Sequence, residues 1–579
     1  MKSKTTDGEN YWEKEDFWTN PDGGLLDDAS ITAVVEKTLK KIEERGTKKK
    51  DKERKRKSVS EELVEIAMGE IELLFVDQFK VPYCSFRTED TRQVWPVKSK
   101  AFKRWICGLL WEKEKRAVYS EALTSALNVL EAQAIYGSKK QVRLWNRVAW
   151  HNGDIYYDLT NEKWQAVRIG KTGWEVIDEP PILFRRFTHH KPQIEPQKGG
   201  NLKDFLNFVN IKDEDVQILT LVWLVTCFIP DIAHPILILH GPQGSAKTTF
   251  LKLCRLIIDP SETPLLTIPK DITGLIQILA HHYCSFFDNL SVLPDYVSDT
   301  LSRGCTGDGF SKRQLYTDDD DVLYSYKRVI GVNGINLPAL KPDLLDRSII
   351  IELERIPASN RKEEIALCKE FEEKLPFILG GIFDTLSQAI QIYDKTHLPL
   401  LPRLADFARW GFAISEALGT GGEKFLSAYF KNRNYQHYQI VENNPLALAL
   451  MNFMEDQDHW EGTSSELLNN LTEKAKEIGI NTKIKCWPQQ PNTLVRHLNR
   501  LKVNLEAVGI DYQHYGHTRK GSLISLARRD GKEILPSRLP SPQNSSNHED
   551  FGGCDDGDGF APILSKKTIK HNGDEGEVI

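Results

Sequence analysis

Residues 241–249, Gly-Pro-Gln-Gly-Ser-Ala-Lys-Thr-Thr, combine the residue types that hold the phosphates of a nucleotide. Gly241 and Gly244 allow backbone angles at which successive N–H groups converge on one anion. Pro242, Gln243, Ser245 and Ala246 complete the loop, Lys247 adds a charge for the outer phosphates, and the Thr248 hydroxyl, followed by Thr249, suits Mg²⁺. The chemistry expected is binding of ATP with Mg²⁺. One letter departs from the usual G-x-x-x-x-G-K-[ST] pattern: Ala246 stands at the last glycine. The inner glycine, Gly244, is read as the one that shapes the backbone. Ala246 is expected at the helix start with an ordinary negative φ.

Such a site needs a carboxylate to orient the metal. Asp288 closes the apolar run YCSFFDNL and fits that role, holding Mg²⁺ through water together with Thr248. Asn289 follows, where many ATPases carry a glutamate. An amide orients water but takes no proton, so no general base is identified. Asn333 ends the run KRVIGVNGI and either positions the lytic water or opens an Asn-Gly turn. Arg347, in PDLLDRSIII, either reaches the phosphate of a neighbouring subunit or forms a surface ion pair with the adjacent Asp346 or with the loop. Lys312-Arg313 and Lys327-Arg328 flank LYTDDDDVLY in a stretch that reads as a projecting β-hairpin, with basic and aromatic residues suited to a single DNA strand. Asp318 to Asp321 would repel phosphate and are read as its solvated turn.

The elements that position these residues alternate over 201–360: helix 213–229, strand 235–239, helix 247–258, strand 284–287, helix 291–304, and strands 327–332 and 348–353. Alternation of this kind predicts a parallel sheet flanked by helices. The run ILTLVWLVTCFIP is too short for the roughly 20 residues of a membrane helix and reads as a buried helix. Residues 61–140 read as mostly helical, with ELVEIAMGEIELLF as a single helical stripe. From 142 the texture turns to hairpins, the first around Asn152-Gly153.

Residues 361–440 read as a helical lid or connector. Residues 441–530 resemble a winged helix-turn-helix, with a supporting helix, a candidate recognition helix started by Pro491 and carrying Arg496 and Arg500, and a wing turning at Arg519 and Lys520. These cations suit duplex DNA; the alternative is a protein–protein module. Residues 1–60 form a charged arm, with eleven Lys/Arg against four Asp/Glu in residues 40–57, and 531–579 a tail without apolar periodicity.

A net charge of −6 does not exclude nucleic acid, because binding needs a local basic face. Nine scattered cysteines without a C-x-x-C pair argue against structural zinc, and the N-terminus has no apolar signal core. A cytoplasmic protein with reduced thiols and no membrane contact is expected.

The ordered run GPQGSAKT, FFDNL, TGDGFSKRQLY, GVNGI and PDLLDRSI resembles the AAA+ core of superfamily III helicases of viruses, plasmids and prophages, including the helicase parts of primase–helicases. The likeness spans residues 205–360. The loop itself is similar to the G-x-P-G-x-A-K-S loop of minichromosome-maintenance helicases, also AAA+ rings. The resemblance implies an α/β fold with a P-loop AAA+ parallel-sheet core at 201–360, a helical and β accessory or oligomerisation part at 61–200 and a C-terminal winged helix. It further implies a homo-hexamer around single-stranded DNA, with Arg347 acting in trans. The expected function is an ATP-dependent DNA helicase or translocase of a mobile element. Asn289 keeps an ATP-switched initiator or loader open, and the winged helix keeps open an AAA+ regulator of transcription or defence. No primase motif of spaced aspartates precedes the core.

Overall fold

A computed structural model describes residues 58–529, apart from 89–90, 291–292, 314–320, 335–340, 443, 456, 485 and 519–520. The tail, nearly all of the charged arm, the acidic turn at 318–320, and Arg519 and Lys520 lie outside the described residues.

The chain opens with helix Val59–Glu70. Ser58 caps it by accepting the Glu61 amide, and the Glu61 carboxylate accepts the Ser58 amide in return. The single helical stripe expected through Phe75 is corrected here. The helix stops at Glu70, and strand β1 (Ile71–Val76) pairs antiparallel with β2 (Pro82–Thr88), which pairs with β3 (Thr91–Pro96). Leu74 packs into one core with Leu63 and Ala67, while Phe75 packs into another with Tyr83 and Leu144. A strand covered on both faces reads as an unbroken apolar run, which periodicity cannot tell from a buried helix.

Helices Lys100–Glu114 and Ser120–Ala132 complete this part. Short strand β4 (Leu144–Trp145) pairs with β9 (Leu183–Phe184), and between them β5 (Val148–His151), β6 (Asp154–Asp158), β7 (Ala166–Gly170) and β8 (Gly173–Ile177) form an antiparallel meander. Asn152 and Gly153 both take positive φ at the first hairpin, as an Asn-Gly two-residue turn requires.

The central sheet is parallel throughout, in the order β11-β14-β10-β15, with β10 at Ile236–His240, β11 at Cys284–Phe287, β14 at Val329–Asn333 and β15 at Ser348–Glu352. Between β11 and β14, strands β12 (Asp308–Arg313) and β13 (Asp321–Tyr326) pair as the expected hairpin. Helix Glu214–Thr226 is buried along all of 218–226, as its composition predicted. Helix Ile272–His281, capped by Asp271, was not anticipated.

Both faces of the sheet are covered. On one, Leu237, Leu239, Phe286 and Ile349 join the β5–β8 meander and helices Glu364–Tyr393 and Ala405–Ala417. On the other, Ile236, Ile238, Ile330 and Ile350 meet helices Ile272–His281 and Asp295–Thr306 and the C-terminal elements. Those elements are helix Pro445–Phe453, β16 (His459–Thr463), helices Ser464–Glu477 and Pro491–Ala507, and β17 (Ile510–Thr518) with β18 (Gly521–Arg528), in sheet order β16-β18-β17. Helix Gly422–Glu442 connects them to the core.

Candidate functional site

The site is built on the tips of β10, β11 and β14, where parallel strands end on the same side of the sheet. β10 delivers the chain to Gly241, at φ 135°, where a Cβ would stand 2.2 Å from the Leu353 carbonyl oxygen. Gly244 follows at φ 78°. Both glycines are therefore required by the path of the backbone.

Ala246 corrects the sequence expectation. It lies at φ 64°, ψ 27°, in the left-handed region, and its side chain caps nothing. A methyl group is tolerated in this conformation at a cost of about 1–2 kcal/mol relative to glycine. The missing glycine is thus a residue held in a glycine's conformation, and its carbonyl still accepts the Phe250 amide to start helix Lys247–Ile258.

Among the described residues, none of the amide N–H groups from Gln243 to Thr249 has a hydrogen-bond acceptor. They gather at a loop and helix N-terminus, an arrangement that suits an anion. The Lys247 ammonium folds over the loop and donates to the carbonyls of Gly241 (2.8 Å) and Pro242 (2.9 Å) and to Ser245 Oγ (3.2 Å). Ser245 is buried and donates to the Pro242 carbonyl. Partial burial lowers the Lys247 pKa from its usual value, against the opposing field of Asp288. Its present partners are carbonyls and a hydroxyl of the loop itself, which an arriving phosphate would replace.

Asp288, just past the tip of β11, accepts a hydrogen bond from Thr248 Oγ1 at 3.2 Å. The two residues chosen as metal-holding candidates therefore meet. Asn289 takes φ 58° and donates its backbone N–H to Asn333 Oδ1 at 2.7 Å, while Leu290 N–H donates to the Asn333 carbonyl. Asn333, at the tip of β14, is 3% exposed, and its Nδ2 is buried without a hydrogen-bond partner among the described residues. As a strand-tip amide, Asn333 locks the neighbouring tip and leaves one donor over among the described residues.

Of two arginines that could bear on the loop, Arg361 does and Arg347 does not. Arg361, which the sequence reading passed over, brings its guanidinium to 3.1 Å from where a Cβ on Gly244 would stand. Its signal was only a basic residue after an irregular segment. Arg347 lies elsewhere, paired with Asp343 one helical turn before it, with its Nε buried and unpartnered. Its neighbour Asp346 pairs instead with Arg403 (2.7 Å) and Arg433 (3.4 Å). Within one chain, Arg347 does not join the loop.

The DNA candidates fall in two other places. Lys312 and Arg313 lie on β12, opposite Val322 and Asp321. Arg496 and Arg500 are exposed one turn apart on helix Pro491–Ala507, whose opposite face buries Leu494, Leu498, Leu501 and Leu505.

Sequence reasoning also missed a buried connection behind the site. Asp259 caps the helix that starts at Lys247. It accepts from Arg147 Nε at 2.8 Å and pairs with Arg255 at 3.2 Å, all three side chains being buried. Burial acts to raise the Asp259 pKa, but the Arg255 and Arg147 guanidiniums outweigh it and hold the carboxyl far below its ordinary range. Arg147 also donates to the carbonyls of Asp158 and Pro260 and to Thr160 Oγ1, so each of its three nitrogens has an acceptor.

Comparison with known proteins bears on this architecture. Residues 202–432 match the family model of an actinomycete integrative conjugative element replication protein, and residues 446–541 match the model of the C-terminal domain of the same element's RepA. No curated protein matches the chain. Among solved structures, the A form apo structure of the NrS-1 C-terminal region is similar at 12% identity and a TM-score of 0.35, covering 82% of this chain and 100% of that one. An apo structure of NrS-1 residues 305–718 gives 10% identity and a TM-score of 0.34, again over 82% of this chain and 100% of that one. The two family models are successive parts of one replication protein and follow each other here in the same order, so this chain is a replication protein of a mobile element.

Proposed function

We propose that this replication protein is an ATP-dependent DNA helicase or translocase with a P-loop AAA+ core and a C-terminal winged helix, working as a homo-hexameric ring. The observation that carries the reading is the meeting of Thr248 and Asp288 beside an anion-ready loop under Lys247. Bound Mg²⁺ would neutralise phosphate charge at Thr248 and Asp288. The loop amides and Lys247 would bind the phosphates, and the spare Asn333 amide would orient water. Arg347 would act on the nucleotide of an adjacent subunit after leaving Asp343. A single DNA strand would contact Lys312 and Arg313, and duplex DNA would meet Arg496 and Arg500, with Arg519 and Lys520 at the wing.

A second reading, an ATP-switched initiator or loader with slow turnover, is favoured by Asn289. This exposed amide stands where a general base is wanted, and no carboxylate follows Asp288 directly. ATP hydrolysis and strand displacement on the same substrates separate the two. The helicase reading expects turnover stimulated by single strands of any sequence, and displacement that Lys247→Ala abolishes without loss of fold. ATP binding with neither turnover nor displacement would select the initiator. Stimulation by one duplex sequence alone would select a regulator.

A further inference from the structure

A cleft of about 350 Å³ opens between the N-terminal sheets and the foot of the β12–β13 hairpin. Segments around 78–81, 143–148, 185–187, 230–231 and 280–283 line it together with the hairpin's ends, Gly307 and Tyr326–Arg328. Its surface carries flat rings and cations together. The Arg143 guanidinium lies 3.7 Å over the Trp145 ring. Phe187 carries the Arg185 guanidinium at 4.6 Å, and the His281 ring stacks on Phe187 with centroids 4.6 Å apart at 26°.

The charges are unevenly committed. Arg143 is paired with the Asp231 carboxylate, and Arg328 is spent on the carbonyls of Leu279, Ala280 and Lys327. Lys327 gives one proton to the Asp231 carbonyl. The Arg185 guanidinium has no hydrogen-bond acceptor among the described residues; Asp77 feels its field but takes its own hydrogen bonds from the Phe79 and Val81 amides. The cleft therefore offers a cation with open donors. It also offers one unused acceptor. Asn146 donates Nδ2–H to the His281 carbonyl at 3.0 Å, which fixes the amide's orientation and leaves Oδ1 buried without a partner. A ligand that answers all of this is anionic, has a flat ring, and carries an N–H on that ring's edge.

We propose that this cleft holds one nucleotide unit of a single DNA strand, with phosphate on Arg185 and Lys327, the base against Trp145 and Phe187, and its edge donating to Asn146. The proposal rests on the reading that the chain works on single-stranded DNA. It gives residues 78–187 a share in that work. The position at the root of the hairpin favours a strand over a free nucleotide, because a strand carried by β12 and β13 would pass their base. Stacking and phosphate pairing tolerate any sequence, as such a strand requires.

The test is photocrosslinking of the full chain to an oligonucleotide carrying 5-iododeoxyuridine, with the adducts mapped by mass spectrometry. Adducts on the peptides of Trp145, Phe187 or His281 are expected. Adducts confined to 308–326 or to 445–529 would overturn the site. Suppression by free thymidine monophosphate as effective as by unlabelled strand would make the ligand a free nucleotide and overturn the strand. In parallel, Arg185→Ala should weaken oligonucleotide binding about tenfold and flatten its logarithmic salt dependence by roughly 0.7, the share of one phosphate contact on a single strand. ATP turnover without DNA should stay unchanged, and Arg185→Lys should restore the salt slope. An unchanged affinity and slope in a folded Arg185→Ala protein would refute the phosphate contact. If that variant fails to fold, the wild-type adduct map still decides. Turnover is scored separately, so a chain that crosslinks here yet hydrolyses no ATP loses the helicase reading and keeps this one.

Discussion

At the scale of single residues, Ala246 is the clearest lesson. The sequence placed a methyl at a glycine position and suggested that ordinary backbone angles would serve; the loop instead holds the alanine at φ 64°. Relief of that strain makes Ala246→Gly a stabilising change. The gain is expected to reach about 1 kcal/mol, because the added freedom of glycine in the unfolded chain offsets part of it. Urea unfolding checks this, and a midpoint that falls would show that the methyl contributes packing worth more than the strain. Lys247, Thr248 and Asp288 were legible because each chemistry has a letter and a strand or helix beside it. The spare amide of Asn333 was legible only as a candidate, since its partner, the Asn289 backbone N–H, comes from another strand tip.

At the scale of elements, core strands and helices announce themselves by composition. β10, β11, β14 and β15 are buried on both faces and read as apolar runs followed by polar tips. The same double burial hid β1, because Leu74 and Phe75 face different cores and mimic a continued helix. The joint between the β5–β8 meander and the helix of the candidate site was invisible, since Arg147 and Asp259 stand 112 residues apart. Removing one partner leaves a buried charge unmatched, so Arg147→Ala is expected to cost about 3–5 kcal/mol, measured by denaturant unfolding. A cost below about 1 kcal/mol would mean that water reaches Asp259. The hairpin carries its own prediction. Replacing Lys312 and Arg313 together by alanine should leave ATP turnover near wild type while abolishing strand displacement, and retained displacement would remove the hairpin from the coupling role.

At the scale of the whole molecule, one sheet is shared by two cores, and a cluster of histidines beside it predicts a pH dependence of stability. His189, His190, His281 and His282 gather where the loop after β9 meets the end of helix Ile272–His281, with the His189 and His282 rings stacked at 3.7 Å. Burial lowers the pKa of each, to about 4 for His189 and His281 and about 3 for His282; Arg255 adds to this at His189, His190 and His282, where Asp259 opposes it, and Arg185 and Arg328 add to it at His281. Unfolded histidine titrates near 6.5, so below that pH the unfolded chain binds more protons than the folded one. Stability should therefore hold above pH ~6.5 and fall progressively towards pH ~4, as a declining melting temperature. Replacing His282 by glutamine should flatten that decline, and an unchanged profile would place the acid sensitivity elsewhere.

The sequence by itself determined the parallel core, the loop that suits a phosphate, the hairpin and the helix that presents Arg496 and Arg500. Each of these is written in local periodicity, glycine placement and charge. Only the tertiary structure decided that Thr248 meets Asp288, that Ala246 bears a glycine's angles, and that Trp145, Arg185 and His281 face one cleft. Those relations join residues that lie far apart in the chain or are bent by their surroundings, and packing, not local propensity, sets both.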